Sequence, residues 1–525
     1  MRVALLVCFL GKSLRFLYFR DMNDFILSLL LSGALSTGGQ LPFWMTTNQF
    51  GLMPESNGAL AIIGAHTQYD TSKDFQWCWG ASLAANYDSS PFIPAESAKI
   101  NLMVDELYAS IRWKYFSLDA GMKHDPIDFY ASSPTLGSLS TTSGHIISTN
   151  NARTMPGYMF NITALPIPFT RKHVWINAGY GDFVTLDNRY VKNALVHRSK
   201  LSLTINITKR LDFMLGLDHY AIWGGVSPDY GPLEISFKNY IRMVTGRRSS
   251  TSALINDQIY VIGDQGGGEF FRFDYRGNGW KATFLHDIPY NDDTGMIFQN
   301  FPDGVNTLWF GFDDKNRWVS DISYEFIYTR NQSGWYHARP TTEEERAHLD
   351  PNDEYYYWWH VHGGGDNYFN NEDYMSGWTY FGRAIGLPLL SPEGTHNGTW
   401  TSHRTILGIE NNRIRAHHLG LSGKFFRSFP YKLMLTYSQN YGLYAHPYLG
   451  ESPWMKEPGT VEEFPLHQFS GALVGEVPFT GFKRIASNSV LRLFTITYGL
   501  YADWGELFPT NRFGATLGLR FAMSR

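Results

Sequence analysis

Apolar and polar residues alternate strictly along many segments of the chain. In the clearest segment, residues 200–208, aliphatic positions alternate with hydroxyl and amide positions, namely Leu201, Leu203, Ile205 and Ile207 against Ser202, Thr204, Asn206 and Thr208. Successive side chains of a β-strand point to opposite faces, so this alternation predicts a strand with one apolar and one polar face. The pattern repeats over residues 211–218, and the link Lys209-Arg210 is typical of a tight turn.

The same alternation recurs as far as the C-terminus. Further alternating segments lie at residues 271–276, 318–329, 431–438, 494–500 and 513–524. Several candidate strands have about ten residues, the length that a tilted strand needs to cross a bilayer, and many end in aromatic residues. The full count is about 16–18 strands, which is typical of larger bacterial barrels. Because a bilayer tolerates no open sheet edge, we predict an all-β, closed, antiparallel transmembrane β-barrel rather than a soluble β-sandwich.

Composition favours a barrel over a bundle of membrane helices. Aromatic residues make up 16% of the 525 residues, yet the mean hydropathy is only -0.25. Beyond the first 36 residues there is no apolar run of about 20 residues, the length of a spanning helix. The formal net charge of -4, without a block of Lys and Arg, argues against a nucleic-acid partner.

The N-terminus has the pattern of an export signal. Three basic residues precede the apolar run at 25–35, namely Lys12, Arg15 and Arg20, and Ala34 and Ser36 provide small residues for cleavage. The predicted division of the chain is a signal peptide over 1–36, starting at Met1 or Met22, a periplasmic segment over 37–57 and an outer-membrane barrel over 58–525.

Three stretches are poor in strand patterns, namely residues 125–156, 226–258 and 330–400. Such stretches form loops or a plug in the lumen. In a bacterial barrel the long loops face outward, so we expect external ligands to meet the protein there.

Motifs rich in Gly, Asn and aromatic residues extend from about residue 41 to the C-terminus. They include Leu41-Pro42-Phe43-Trp44, Asn48-Gln49-Phe50-Gly51, Asn150-Asn151-Ala152, Trp223-Gly224-Gly225, Asn367-Tyr368-Phe369-Asn370-Asn371, Gly377-Trp378 and Ile385-Gly386-Leu387-Pro388-Leu389. In these motifs the chain resembles the Wzi family of capsule assembly proteins, in its Bacteroidetes-type form. The resemblance implies an outer-membrane barrel of a Gram-negative bacterium that acts as a surface lectin, binds capsular polysaccharide and assists capsule assembly or attachment.

The long insert at 330–400 contains the densest aromatic cluster of the chain. A glycan site needs flat aromatic faces together with a few polar groups that bind hydroxyls. The candidate polysaccharide-binding residues are Trp335, Tyr336, His337, Tyr355, Tyr357, Trp359, His360, Asp366, Asn367 and Tyr368. The alternative role for these aromatics is an interfacial girdle, or packing of the insert onto the barrel.

Signatures of hydrolases and of nucleotide binding are missing from the sequence, including Gly-x-Ser-x-Gly, His-Glu-x-x-His and Gly-Lys-Ser/Thr. The pair His360 and His362 has no fixed third ligand for a metal ion. We therefore expect a protein that is not an enzyme, without cofactor or metal, whose partners are polysaccharide and outer-membrane lipid.

A porin-like channel for sugars or other solutes is the alternative function. Charges on the predicted lumen face, such as Arg272, Asp274 and Glu325, would stay hydrated in an open channel and would pair with one another in a filled lumen. A lumen blocked by residues 125–156 would argue against the channel. The sequence leaves this choice open, together with the oligomeric state and the identity of the polysaccharide.

Overall fold

Eighteen antiparallel strands form the wall of a single closed barrel. The computed structural model describes residues 25–70, 72–91, 99–259, 261–291, 298–334, 337–351, 357–362, 366–396, 408–453, 456, 460–482 and 487–524. The strands are β1 Phe25–Ser36, β2 Gly58–Thr67, β3 Phe75–Asp88, β4 Ile100–Trp113, β5 Phe116–Met122, β6 Gly157–Pro166, β7 Val174–Val184, β8 Leu195–Asn206, β9 Leu211–Trp223, β10 Asp264–Arg276, β11 Trp280–Tyr290, β12 Gly304–Phe312, β13 Asp321–Tyr328, β14 Ile414–Phe425, β15 Phe429–Asn440, β16 Leu466–Pro478, β17 Phe494–Gly505 and β18 Arg512–Ser524.

Each strand pairs with the next one along the chain, and the first strand pairs with the last. Leu31 of β1 lies opposite Ala61 of β2 on one side and Leu519 of β18 on the other. This closure leaves no open strand edge, as a bilayer requires. It confirms the predicted barrel and the upper end of the predicted strand count.

Helices are few and short in the part of the chain that the structure describes. They are α1 Phe43–Thr46, α2 Phe237–Val244, α3 Ile255–Ile259 and α4 Glu343–Arg346, with single 3-10 turns at Pro134–Leu136, Phe479–Gly481 and Leu491–Leu493. Among the described residues no helix has the length and apolar character needed to cross a membrane. Short two-stranded ribbons outside the wall pair Val226–Ser227 with Gly231–Pro232, His337–Pro340 with Trp359–His362, Thr379–Tyr380 with Arg383–Ala384, Ser391–Pro392 with Ile409–Asn411, and Leu449–Gly450 with Glu463–Phe464.

Alternation along the strands separates an outer apolar face from an inner polar one. On β13, Ile322 and Tyr324 are exposed on the outside, whereas Ser323 and Glu325 are fully buried on the lumen side. Leu201 of β8 is likewise exposed on the outside. The polar positions of the strand patterns therefore face the lumen, as the sequence predicted.

The connections fall into two groups at opposite ends of the barrel. All five connections longer than 15 residues lie at one end, namely 37–57, 123–156, 224–263, 329–413 and 441–465. Strand β1 begins and strand β18 ends at the other end, among the shorter turns. Outer-membrane barrels have short periplasmic turns and long extracellular loops, so the long-loop end faces outward.

The structure corrects the predicted end of the signal peptide. Residues Phe25–Ser36 are a wall strand between β2 and β18, and cleavage after Ser36 would open the barrel along both seams. The apolar run has period two, with Leu29 and Leu31 outside and Ser28 and Ser32 on the lumen side. Leucines that alternate with small residues have the composition of a signal-peptide core as well as that of a barrel strand, and this overlap explains the error.

The segment at 37–57 is also placed differently from the prediction, at the long-loop end and not in the periplasm. It folds into the barrel mouth, where Trp44 Nε1 donates a hydrogen bond to Thr436 Oγ1 of β15 over 3.0 Å. The backbone N–H of Phe43 donates to Asp503 Oδ2 of β17 over 2.8 Å. We call this segment the N-terminal loop.

Candidate functional site at the long-loop end

The connection between β5 and β6, residues 123–156, crosses the lumen and is named the crossing segment. It bonds to inward-facing side chains of several strands. The contacts are Asp128 with Arg272 of β10 (2.9 Å), Ile146 N with Asp287 Oδ2 of β11 (2.7 Å), Thr141 N with Glu325 Oε2 of β13 (2.7 Å), Leu139 O with His418 Nε2 of β14 (2.9 Å) and Thr135 Oγ1 with Glu476 Oε1 of β16 (2.6 Å). These partners lie on strands spread over half of the wall, so the segment occupies the interior of the barrel.

The connection between β13 and β14, residues 329–413, is named the insert, and its described part from 366 onward enters the same lumen. The indole of Trp378 stacks on Tyr220 of β9 with ring centroids 3.8 Å apart, and its Nε1 donates to Ile147 O over 2.6 Å. The backbone N–H of Leu387 donates to Ile146 O over 2.7 Å. The insert and the crossing segment therefore pack on each other inside the wall and form the largest buried apolar cluster among the described residues.

Two arginines on the lumen side of the wall form ion pairs. Arg272 contacts Asp274 at 2.8 Å as well as Asp128, and Arg276 contacts Asp212 at 2.6 Å. The carboxylate of Glu325 accepts from Thr141 N and from Thr307 Oγ1. Of the two outcomes that the sequence left open, pairing is observed for Arg272 and Asp274, whereas Glu325 is bound by neutral donors.

A small polar cavity of about 110 Å³ opens between the N-terminal loop, the insert and strands β15, β16 and β18. Its lining includes the buried ion pair of Glu55 with Arg383, together with Gln468, Arg512 and Phe508. Among the described residues, Gln468 Oε1, Arg383 Nε and Arg512 Nε are buried without a hydrogen-bond partner. Buried polar atoms are rarely left unpaired in proteins, so these three atoms mark side chains of the cavity lining that lack a protein partner.

The predicted aromatic site is divided by the structure. Trp335, Tyr336 and Tyr355 lie outside the described residues, and His337 and His360 lie on the two strands of one ribbon. Trp359, the first residue of the second strand, is 43% exposed, and just before it Trp358 is 54% exposed and Tyr357 is half-buried. The Trp358 ring contacts Tyr357 edge-on at 5.1 Å and lies 5.1 Å from the guanidinium of Arg346. These aromatics are accessible from outside.

The last three candidate residues point inward and hold the insert. Tyr368 is fully buried and donates its hydroxyl to Asp303 Oδ2 over 2.7 Å. Asn367 Oδ1 accepts from Asn412 Nδ2 over 2.6 Å, and Asp366 Oδ2 accepts from Ser333 Oγ over 3.0 Å. The expectation that Tyr368 contacts a glycan is corrected, because its whole side chain is covered by packing.

Asp303, at the end of the loop before β12, connects the insert to the wall. Its carboxylate accepts the backbone N–H groups of Asn331 (2.7 Å) and Gln332 (2.6 Å) in addition to the Tyr368 hydroxyl. Burial raises the pKa of Asp303 to about 7, although these three donors act in the opposite direction. A single carboxylate thus fixes both ends of residues 331–368.

Replacing this carboxylate should loosen the insert. Asp303→Ala leaves three donors without an acceptor and should cost about 2 kcal/mol of local stability. Since the folded pKa is raised, the stabilisation from Asp303 is full below pH ~4 and is lost as the pH rises through about 7. Limited proteolysis of the insert should therefore accelerate between pH 4.5 and 8 in the wild type and should not change with pH in Asp303→Asn. An equal pH response in both proteins would contradict this role.

The cavity residues could not be found from the sequence. Glu55, Arg383, Gln468 and Arg512 are separated by up to 457 positions, and no spacing connects them. Arg383 lies close to the Ile385-Gly386-Leu387 motif, which is the one local indication that its surroundings matter.

Comparisons with known proteins show the architecture. No family model matches the chain, and no curated protein matches it. Among solved structures, Wzi from Escherichia coli, described as an outer-membrane protein involved in group 1 capsule assembly and as a carbohydrate-binding β-barrel, aligns with a TM-score of 0.50 and 13% identity. That alignment covers 94% of this chain and 84% of Wzi.

Two further solved structures align along almost their whole length, and the first of them is described as an outer-membrane protein. OpdK from Pseudomonas aeruginosa aligns over 96% of this chain and 99% of its own, with 9% identity and a TM-score of 0.42. OccAB2 from Acinetobacter baumannii aligns over 95% of this chain and 98% of its own, with 9% identity and a TM-score of 0.42. At these identities the likeness concerns the fold alone. The closed wall of 18 strands identifies the chain as an outer-membrane β-barrel of a Gram-negative bacterium.

Proposed function

We propose that this barrel is a surface lectin that binds capsular or other surface polysaccharide at its long-loop end, without chemical change to the ligand, and so assists capsule assembly or attachment. The observation that carries the proposal is the occupied lumen. The N-terminal loop, the crossing segment and the insert bond to the inner wall and leave a small polar cavity at the mouth. A protein built in this way offers an outer surface for binding rather than a wide path for solutes.

The fold likeness to a barrel described as carbohydrate-binding supports the proposal. So does the chemistry of the long-loop end. Exposed indoles, such as those of Trp358 and Trp359, provide flat apolar faces for the C–H surface of sugar rings. The cavity adds polar side chains, such as those of Glu55, Arg383 and Gln468, whose groups suit sugar hydroxyls. We assign Trp359, Tyr357 and their ribbon to the polysaccharide surface, with Trp335, Tyr336, His337, Tyr355 and His360 as further candidates.

Binding of size-fractionated capsular polysaccharide from the host strain to the purified barrel tests the proposal, with dextran as the comparison ligand. Trp358→Ser combined with Trp359→Ser should weaken the affinity about tenfold, because exposed aromatics contribute much of the energy of such contacts. Trp113→Ser is the matched control, since this indole is equally exposed but lies beside the short turn that follows β4. Heat-modifiable migration should show that all variants are folded.

Saturable binding by the wild type and by Trp113→Ser, weakened in the double variant, would support the lectin and place its site on the ribbon. Equal saturable binding by all three proteins would support the lectin proposal but would exclude the ribbon as its binding site. The absence of binding by the folded wild type would exclude a lectin for this polysaccharide, and steady conductance in a planar bilayer would then favour the channel.

A further inference from the structure

Part of the connection between β9 and β10, residues 224–263, folds over the outside of the barrel, while its Leu233 and Leu254 join the buried cluster of the insert and the crossing segment. Its helix α2 buries Met243 against Ala221 and Trp223 of β9. Both residues are an even number of positions from Leu215 along β9, so they point to the same face as Leu215, which is exposed on the outside. Tyr240 of the same helix donates its hydroxyl to Asp182 Oδ2 of β7 over 3.0 Å, and Ser236 caps the helix through the N–H of Asn239. Helix α2 is therefore fixed flat against the outer wall.

The height of α2 on the wall follows from the outward positions of β8 and β9. From the short-turn end, the outward residues of β8 are apolar as far as Leu201 and then become Ser199 and His197. The outward residues of β9 are apolar as far as Leu217 and then include His219, which lies directly opposite Ser199. The apolar outward positions are interrupted at this row, and α2 packs on the row immediately above it, which Ala221 of β9 and His197 of β8 form. Helix α2 thus lies at the level of the outer-leaflet headgroups.

The uncovered side of this segment combines apolar and basic side chains. Phe237 is 79% exposed, Ile235 is 56% exposed and Ile241 is 44% exposed. Four basic residues accompany them, namely Lys238, Arg242, Arg247 and Arg248, and residues 235–256 contain no Asp or Glu. None of the four forms an ion pair with a described residue, and Arg242 Nη1 is buried without a hydrogen-bond partner.

A basic amphipathic helix at a membrane surface is suited to bind anionic lipid. Its apolar side chains enter the boundary of the acyl chains while its cations meet the headgroup charges. Guanidinium groups are the preferred partners of phosphate because they donate two parallel hydrogen bonds. In the outer leaflet of a Gram-negative outer membrane, phosphate is carried by glycolipid, which is the occupant that this position and this charge select.

We infer that residues 235–248 are a binding site for the phosphate groups of outer-leaflet glycolipid. Lys238, Arg242, Arg247 and Arg248 bind the phosphates, and Phe237 and Ile241 lie among the first carbons of the acyl chains. The site is separate from the proposed polysaccharide surface and does not depend on it. It holds the barrel at a fixed depth and places the long-loop end above the lipid headgroups.

Native mass spectrometry of the delipidated full-length barrel, titrated with diphosphoryl lipid A or with dephosphorylated lipid A, tests the site. The variant replaces Lys238, Arg242, Arg247 and Arg248 by Gln. Its matched control replaces four exposed basic residues of the short turns by Gln, namely Arg171, Lys172, Lys209 and Arg427. We expect the variant to lose about tenfold or more in affinity for the diphosphoryl form, since each cation near such a surface contributes to binding. The control should keep wild-type affinity.

Two further measurements keep the inference falsifiable if the fourfold variant folds poorly. Wild-type affinity for diphosphoryl lipid A should fall as ionic strength rises, because salt screens exposed charges. Phe237→Ser with Ile241→Ser should weaken both lipid forms equally. Equal affinity of the wild type for phosphorylated and dephosphorylated lipid would overturn the inference, as would equal losses in the control and in the fourfold variant. Equal binding of inorganic phosphate and lipid A would show a free-phosphate site and would also overturn it.

Discussion

Deletion of residues 128–147 is expected to convert a barrel without steady conductance into one that conducts continuously in a planar bilayer. Walls of about 16–18 strands enclose an aqueous channel unless something fills them. The crossing segment extends from the mouth almost to the short-turn end, where Ser132 Oγ donates to Gly423 O over 2.7 Å near the turn after β14. Its removal would leave Arg272, Asp287 and Glu325 of the wall without these partners and exposed to water. Single-channel recording measures the change, which should be at least about tenfold.

A variant that keeps the crossing segment but weakens its tip is the control for this deletion. Ser132→Ala with Thr135→Ala removes hydrogen bonds to Gly423 and Glu476 and leaves the chain in the lumen. It should stay without steady conductance. Steady conductance of the wild type itself would show that water and ions pass the described segments. The proposed lectin would then lose the observation on which it rests.

The wall could be predicted from the sequence because its signal is local. Leu201 and Leu203 can be assigned to the outer face because each has a polar neighbour on either side in the sequence. This assignment requires no knowledge of the rest of the chain. Strand β1 shows the limit of such a signal. Leu29 and Leu31 alternate with Ser28 and Leu30, and a run of this kind suits a signal peptide as well as a wall strand. Only pairing with β2 and β18 decides between the two.

The candidate site was harder to predict because its contacts are between distant residues. Tyr368 and Trp358 are aromatic residues of one cluster, yet Tyr368 is buried on Asp303 whereas Trp358 is exposed beside the ribbon. Whether each of these side chains points inward or outward depends on how the insert enters the lumen. No local sequence pattern indicates that arrangement. The cavity likewise joins Glu55 and Arg383 across 328 positions.

The motifs that carry the family resemblance lie largely in the packing of the lumen. Trp44 bonds to the wall, Asn151 Nδ2 donates to Ala384 O, and Trp378 stacks on Tyr220. These motifs therefore describe how the interior is filled rather than which ligand is bound. The polysaccharide surface therefore needs its own test.

Glu463→Gln is expected to destabilise the long-loop end by about 3 kcal/mol, because it leaves two guanidinium groups without their common carboxylate. Glu463 contacts Arg413 at 2.5 Å and Arg330 at 2.9 Å, and the side chains of Glu463 and Arg413 are only 7% and 1% exposed. Arg413 also lies 3.7 Å from the ring centroid of Tyr444, so this cluster holds the loop at 441–465 to the two ends of the insert. Thermal unfolding and proteolysis of that loop measure the loss, and the exposed neighbour Glu462→Gln is the matched control.

The pH dependence of this loop separates a lost ion pair from a simple packing defect. Burial raises the pKa of Glu463, but Arg413 and Arg330 outweigh it and hold the pKa below its usual range. A carboxylate with a lowered folded pKa stabilises the protein above its unfolded pKa of about 4.3, and this contribution is lost as the pH falls through the folded value. The wild-type and Glu462→Gln proteins should therefore lose loop stability in acid, whereas Glu463→Gln should lack that part of the response. A parallel acid profile in all three proteins would mean that the two arginines are neutralised by other groups and that Glu463 serves only as packing.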